Sequence, residues 1–234
     1  MLNLSVLLEA SAFKYGNKPA FTFGDTTLTY AQTNGAANQV ANGLLANGIK
    51  RGDKVALSCF NLPYFPILYF GILKAGATVV PLSVLLKEDE IAYHISDSDA
   101  KAYFCFVGSP DLPMGKMGYA GFNKADKCEQ FYMIMPNPTD ASPIEGTKTL
   151  GSLMAGQSPV FESARTGADD TAVIIYTSGT TGKPKGAELT HSGLLLNAGI
   201  AKDLFAINSN DTSLIVLPLF HLSLIHISEP TRPY

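Results

Sequence analysis

The sequence predicts an α/β protein in which a mostly parallel sheet is layered between helices. Strand-like and helix-like segments alternate from Val55 to Val107, and the apolar run Ala172-Val-Ile-Ile-Tyr carries the same buried-strand character further on. Hydrophobic residues make up 46% of the 234 residues and charged ones 16%, which fits a folded core and not a disordered chain.

The elements follow in order. Leu4, Leu7, Leu8 and Ala12 mark a short amphipathic start. The stretch Phe21 to Thr29 reads as two short strands about the Gly24-Asp25 turn. Thr29 and Gln32 have the spacing of a capping box, and Ala36, Val40, Leu44 and Leu45 form one stripe of the helix that runs on toward Gly48. Val55-Ala-Leu-Ser-Cys59 is then expected as a strand, Pro63 to Ala75 as an apolar core helix, and Thr78-Val-Val80 as a strand. Glu88 to Ser96 follows as a helix and Ala102 to Val107 as a strand. From Gly108 to Gly156 five prolines interrupt the pattern, and a surface excursion holding one strand, Phe131 to Met135, is expected. Regularity returns with Ala172 to Tyr176, a polar loop, a helix from about Ser192 to Phe205 and an apolar strand Leu214-Ile-Val-Leu217.

Net charge is −3, which gives no reason to expect nucleic acid or an anionic membrane as partner, and no run approaches the roughly 18 apolar residues of a membrane helix. Small molecules are the expected partners. Cys59, Cys105 and Cys128 have neither zinc-site nor disulfide-frame spacing and are expected as reduced structural thiols. Met-Leu-Asn-Leu-Ser carries no basic run ahead of its apolar residues, from which a cytoplasmic location is expected.

The segment with chemistry in it is Thr177-Ser-Gly-Thr-Thr-Gly-Lys-Pro-Lys-Gly186, directly after a buried strand. It holds four hydroxyls, three glycines, two lysines and no acid. Glycines allow backbone N–H groups close to an anion, successive N–H groups form anion-binding nests, hydroxyls donate to phosphoryl oxygens and lysines add charge. Spacing rules out a Walker A loop, because two residues separate Gly179 from Gly182 and Pro184 follows Lys183. A Gly/Thr-rich surface turn is the competing interpretation of the composition alone.

In residue order, Tyr176 to Gly186 resembles the signature phosphate loop of the adenylate-forming superfamily. Leu28-Thr-Tyr30, Gly71 to Leu82 and Leu217-Pro-Leu-Phe-His221 resemble further segments of it, and Pro81 to Phe106 resembles fatty-acyl-CoA ligases. The resemblance spans about residues 1–221. It implies the N-terminal portion of the family's large domain and a two-step reaction. A carboxylic acid is joined to AMP with release of pyrophosphate from ATP, then transferred to coenzyme A. Carried over by position, Ser178, Gly179, Thr180, Thr181, Gly182 and Lys185 are implied contacts of the ATP phosphates, with Lys183 at a more variable position. Thr177 is implied on the Mg2+ side, and His221 near the acyl carboxylate. ATP, Mg2+ and coenzyme A are thus the implied cofactor and co-substrates. His94 and His191 are expected to be structural, and Lys74 is expected as a solvated helix-end charge.

The expected division is a partial AMP-binding domain over 1–221 and a non-native tail over 222–234, whose sequence resembles translated sequencing-adapter read-through. A C-terminal domain bearing the family's catalytic lysine is expected to be absent, and the isolated chain is expected to be inactive. Two alternatives stay open at this stage: a non-catalytic nucleotide-binding fragment, and adenylation that feeds a carrier protein or an oxidase. Truncation at a central strand is also expected to leave an exposed edge and poor solubility.

Overall fold

The computed structural model describes residues 1–177 and 183–220. The tail and its expected division at 222 lie outside the described residues.

Helix α1 (Val6–Tyr15) leads into a small antiparallel hairpin of β1 (Pro19–Phe23) and β2 (Thr26–Thr29) about Gly24, whose φ of 55° suits a residue without Cβ. Helix α2 (Tyr30–Ala46) starts at the expected capping box: Thr29 Oγ1 accepts from the Gln32 amide at 3.2 Å, and Gln32 Oε1 accepts from the Thr29 amide at 2.9 Å. The chain then alternates through β3 (Lys54–Ser58), α3 (Tyr64–Lys74), β4 (Thr78–Pro81), α4 (Glu88–Asp97), β5 (Ala100–Phe106), α5 (Met114–Lys124), β6 (Gln130–Ile134), β7 (Lys148–Thr149) and α6 (Leu150–Met154). It closes with β8 (Thr171–Thr177), β9 (Lys185–Thr190) and α7 (His191–Leu204).

Seven strands form one sheet in the order β7-β6-β5-β3-β4-β8-β9, parallel throughout except for the antiparallel pair β8 and β9. The strands read as continuous apolar runs because both sheet faces are covered. Val55, Leu57, Val79, Phe104 and Val173 enter the core on the α2 and α3 side, while Ala56, Val80, Tyr103, Cys105 and Ile174 enter the core on the α4 and α5 side. The period-2 alternation of each strand thus divides its side chains between two separate cores. Among the described residues no helix is long and apolar enough to cross a membrane.

Two sequence expectations are corrected. The stretch from Gly108 to Gly156 is not a surface excursion: β6 lies beside β5 in the sheet, with Tyr132 and Met133 fully buried, and α5 covers one face. The prolines there fall in the connections, and Pro113 immediately precedes α5. Nor do Leu214 to Leu217 form a strand. Two of their carbonyls are met by one side chain, with Asn61 Nδ2 donating to Leu217 O at 2.8 Å and to Ile215 O at 3.4 Å, while Leu219 N donates to Asn61 Oδ1 at 2.9 Å.

Candidate functional site

Strands β8 and β9 deliver the two ends of the Gly/Thr-rich segment to one place. They pair antiparallel with Thr177 opposite Lys185 and Tyr176 opposite Gly186. Directly opposed residues of an antiparallel pair share a sheet face. Alternation along β8 puts Val173 and Ile175 in the α2–α3 core and Ile174 and Tyr176 against the α4–α5 core. Thr177 and Lys185 therefore belong to the face turned away from α4, and both are exposed. Of the residues implied by the sequence, the structure brings these two together.

Lys183 is exposed as well, with its Nζ 6.0 Å from the centroid of the Tyr93 ring. Ser178, Gly179, Thr180, Thr181, Gly182 and His221 lie outside the described residues.

The mouth of the segment has a support that sequence motifs do not reveal. Tyr93 Oη donates to Pro184 O at 2.9 Å, and Tyr176 Oη donates to Asp97 Oδ2 at 2.7 Å. His94 is 4% exposed, and its ring meets that of Tyr176 edge-on at 4.3 Å between centroids. Its Nδ1 lies 2.6 Å from the Glu90 carbonyl. Gly186 sits under this cluster: a Cβ there would come within 2.8 Å of Ile174 Cγ2 and 3.4 Å of Tyr176 Cζ, so the glycine allows the Tyr176 ring to lie across β9. Burial, followed by the neighbouring Asp97 carboxylate, raises the Tyr176 hydroxyl well above its usual range, so at neutral pH it stays a donor.

His191 takes the structural role expected of it. It is 2% exposed, its Nδ1 accepts from the Leu4 amide at 3.1 Å, and burial holds its basicity below the ordinary value. Lys74 departs from expectation. It is not solvated but buried, and its ammonium pairs with Glu9. All three cysteines are buried and free.

Chemically, the described part of the site offers a hydroxyl and two ammonium groups around a strand-loop-strand mouth, on a segment that contributes no carboxylate of its own. That donor set suits a polyanion with several phosphoryl oxygens.

Comparison with known proteins gives the same direction. The family model described as AMP-binding enzyme matches residues 8–226. A crotonobetaine/carnitine–CoA ligase of Citrobacter koseri is 31% identical over 227 residues, covering 94% of this chain and 42% of that protein. A long-chain-fatty-acid–CoA ligase of Mycobacterium tuberculosis is 33% identical, covering 85% of this chain and 37% of that protein. Among solved structures, the inhibitor-bound N-terminal domain of FACL13 from Mycobacterium tuberculosis superposes with a TM-score of 0.80 at 28% identity, covering 98% of this chain and 56% of that one. ATP-bound MatB from Rhodopseudomonas palustris gives 0.75 at 29% identity, covering 97% of this chain and 42% of that one. The chain thus spans about two-fifths of the length of the curated relatives it matches. Because the family model matches residues 8–226, nearly the whole of this chain, the chain belongs to the AMP-binding enzyme family.

Proposed function

We propose that this chain forms the ATP-phosphate-binding part of an AMP-forming acid–CoA ligase. The observation that carries the proposal is the placement of Thr177 and Lys185, opposed across β8 and β9 at the two ends of the Gly/Thr-rich segment. In the proposed reaction a carboxylate oxygen attacks the α-phosphorus of ATP. The bond from that phosphorus to the bridging oxygen breaks, pyrophosphate leaves, and the acyl group then passes from AMP to the coenzyme A thiol.

Negative charge grows on the departing pyrophosphate. Ser178, Gly179, Thr180, Thr181, Gly182 and Lys185 are proposed to receive it, with Lys183 in a lesser part. A pre-formed set of donors stabilises such charge without reorganising as it appears. Mg2+ bound with the nucleotide supplies further positive charge, and Thr177 is the residue proposed to face it. His221 is proposed to position the carboxylate.

Coenzyme A is favoured over a carrier protein as acceptor because the relatives above 30% identity are named as CoA ligases. Their named acids differ: carnitine or crotonobetaine, a long-chain fatty acid, and in Arabidopsis thaliana oxalate. A fatty acid is the proposed acid for this chain, on the likeness of Pro81 to Phe106.

Calorimetric titration with Mg2+-ATP and with tripolyphosphate tests the assignment. Both are expected to bind at one site, and Lys185→Ala is expected to weaken both about tenfold, the worth of one charge-assisted hydrogen bond. Absence of binding up to millimolar ligand, or a Lys185→Ala chain that binds like the wild type, would remove the reading.

A further inference from the structure

The geometry points to α4 as a two-point clamp on the facing ends of β8 and β9, with Tyr93 and Asp97 as positioning residues for Thr177 and Lys185. The inference rests on the phosphate-loop assignment proposed above.

Tyr93 and Asp97 are four positions apart on one helix and so share a face. One holds the descending end of the loop, through the bond from Tyr93 Oη to Pro184 O, and the other holds the ascending end, through the bond from Tyr176 Oη to Asp97 Oδ2. The two held residues, Tyr176 and Pro184, directly precede Thr177 and Lys185. Those are two of the three described residues assigned to the nucleotide, Lys183 being the third. Each hydrogen bond therefore acts one residue away from a phosphate-facing side chain without touching it.

The clamp has a fixed base. Ile91 and Ile95 of α4 are 4% and 0% exposed in the core, and the helix start is tied by the bond from the Lys87 amide to Glu90 Oε2 at 2.8 Å. The His94 ring fills the space between the two tethers, edge-on to Tyr93 at 5.6 Å and to Tyr176 at 4.3 Å. Sheet alternation divides the labour. Tyr176 faces α4, while Thr177 and Lys185 face away, so α4 holds the strand ends from the side opposite these two side chains.

Strand ends held in this way fix the placement of the Thr177 and Lys185 side chains before a ligand arrives, so that ordering is not required on binding. The lysine before the proline joins the arrangement: Lys183 lies over the Tyr93 ring, which holds a second ammonium near the mouth.

Residue-resolved hydrogen exchange and tripolyphosphate titration on the full chain test the clamp, using wild type, Tyr93→Phe, Asp97→Ala and Asp97→Asn. Tyr93→Phe and Asp97→Ala are expected to speed exchange at the Thr177 and Lys185 amides about fivefold, the worth of one hydrogen bond, and to weaken tripolyphosphate by a similar factor. Exchange at Phe104 in the core and the melting midpoint are expected to stay at wild-type values. Asp97→Asn keeps an acceptor oxygen and is expected to restore both exchange and affinity. Equal exchange at Thr177 and Lys185 in all four chains would overturn the clamp, as would an Asp97→Asn chain that behaves like Asp97→Ala. Faster exchange in the two variants, in a wild type that does not bind tripolyphosphate, would support the clamp and overturn the phosphate assignment.

Discussion

The Lys74 ammonium lies 2.5 Å from a carboxylate oxygen of Glu9, with the lysine side chain 1% exposed and the glutamate 37% exposed. Ser163 Oγ donates to the same carboxylate oxygen, so three parts of the chain meet there: α1, the end of α3 and the segment after α6. Burial opposes the charge on Glu9, but the hydrogen bonds from Lys74 and Ser163, together with the Lys74 charge, outweigh it and hold the carboxyl below its ordinary 4.5. Burial also pulls Lys74 down, and Glu9 offsets only part of that. Lys74→Ala leaves a half-buried carboxylate without its partner and is expected to cost about 2 kcal/mol in a urea titration, between the values for exposed and fully buried pairs.

The same pair fixes the sign of an acid dependence. A carboxyl whose folded pKa lies below its unfolded one contributes stability that is complete above the unfolded value, 4.5, and lost as pH falls through the folded value. Urea midpoints measured from about pH 6 down to about pH 3 are therefore expected to fall less steeply in Glu9→Gln than in wild type. Parallel slopes in the two chains would contradict this.

Gly118 and Gly199 both stand inside helices, and the structure predicts opposite outcomes for alanine at the two positions. A Cβ on Gly118 would meet Cys105 Sγ at 2.6 Å and Tyr103 Oη at 3.2 Å, whereas a Cβ on Gly199 meets nothing within 4 Å. Alanine gains about 1 kcal/mol of helix propensity at either site. At Gly118 the overpacking of α5 against β5 is expected to exceed that gain, for a net loss of about 1–2 kcal/mol. Gly199→Ala is expected to stabilise by up to about 1 kcal/mol. Thermal melts of the two single variants check both signs.

These glycines also explain which parts of the fold were legible in the sequence. Strands β3, β4, β5 and β8 stand out because each is built around an apolar run, and α2 because its cap and stripe agree. Helix α5 is hidden because Gly115, Gly118 and Gly121, which local propensity counts against a helix, are what let it lie close to Met133, Cys105 and Ile91. Leu214 to Leu217 mislead in the other direction. An apolar run promises a strand, but strand formation needs a neighbour, and here the Asn61 side chain meets the backbone instead. A lysine at a helix end carries no sequence mark of burial, and Lys74 is buried only because Glu9 of α1 packs over it. At the site, residue order marked Thr177 and Lys185, while Tyr93 and Asp97 carry no motif, because their connection to the loop exists only after β8 packs beside α4.

The thiols of Cys59, Cys105 and Cys128 are expected to be slow to react in the folded chain. Burial raises all three, Cys105 and Cys128 to about 12 and Cys59 higher still. At pH 8 the thiolate fraction of each is then far below that of an exposed cysteine near 8.5, and access is blocked as well. Ellman's reagent at pH 8 is expected to find three thiols promptly in denaturant and to titrate them only over hours without it. Prompt reaction of any of them in the native chain would show that its cover opens readily.

Helix α7 is apolar on two sides, and only one of them is packed. Leu194 and Leu195 reach the core beneath, whereas Leu196, Ile200 and Leu204, spaced four apart on one outer stripe, are 66%, 57% and 73% exposed. Leu214 and Val216 add 70% and 74% exposed side chains, and β9 is the last strand at its end of the sheet among the described residues. Isolated exposed leucines are ordinary, but a helical stripe together with a sheet edge is a surface that associates. The purified chain is expected to form concentration-dependent larger species in light scattering. Leu196→Glu combined with Ile200→Lys replaces two of the stripe residues with an i,i+4 ion pair and is expected to shift the population toward monomer. The melting midpoint should change little, because neither side chain contributes to the core. A wild-type chain that stays monomeric at high concentration and melts sharply would show that this stripe does not drive association.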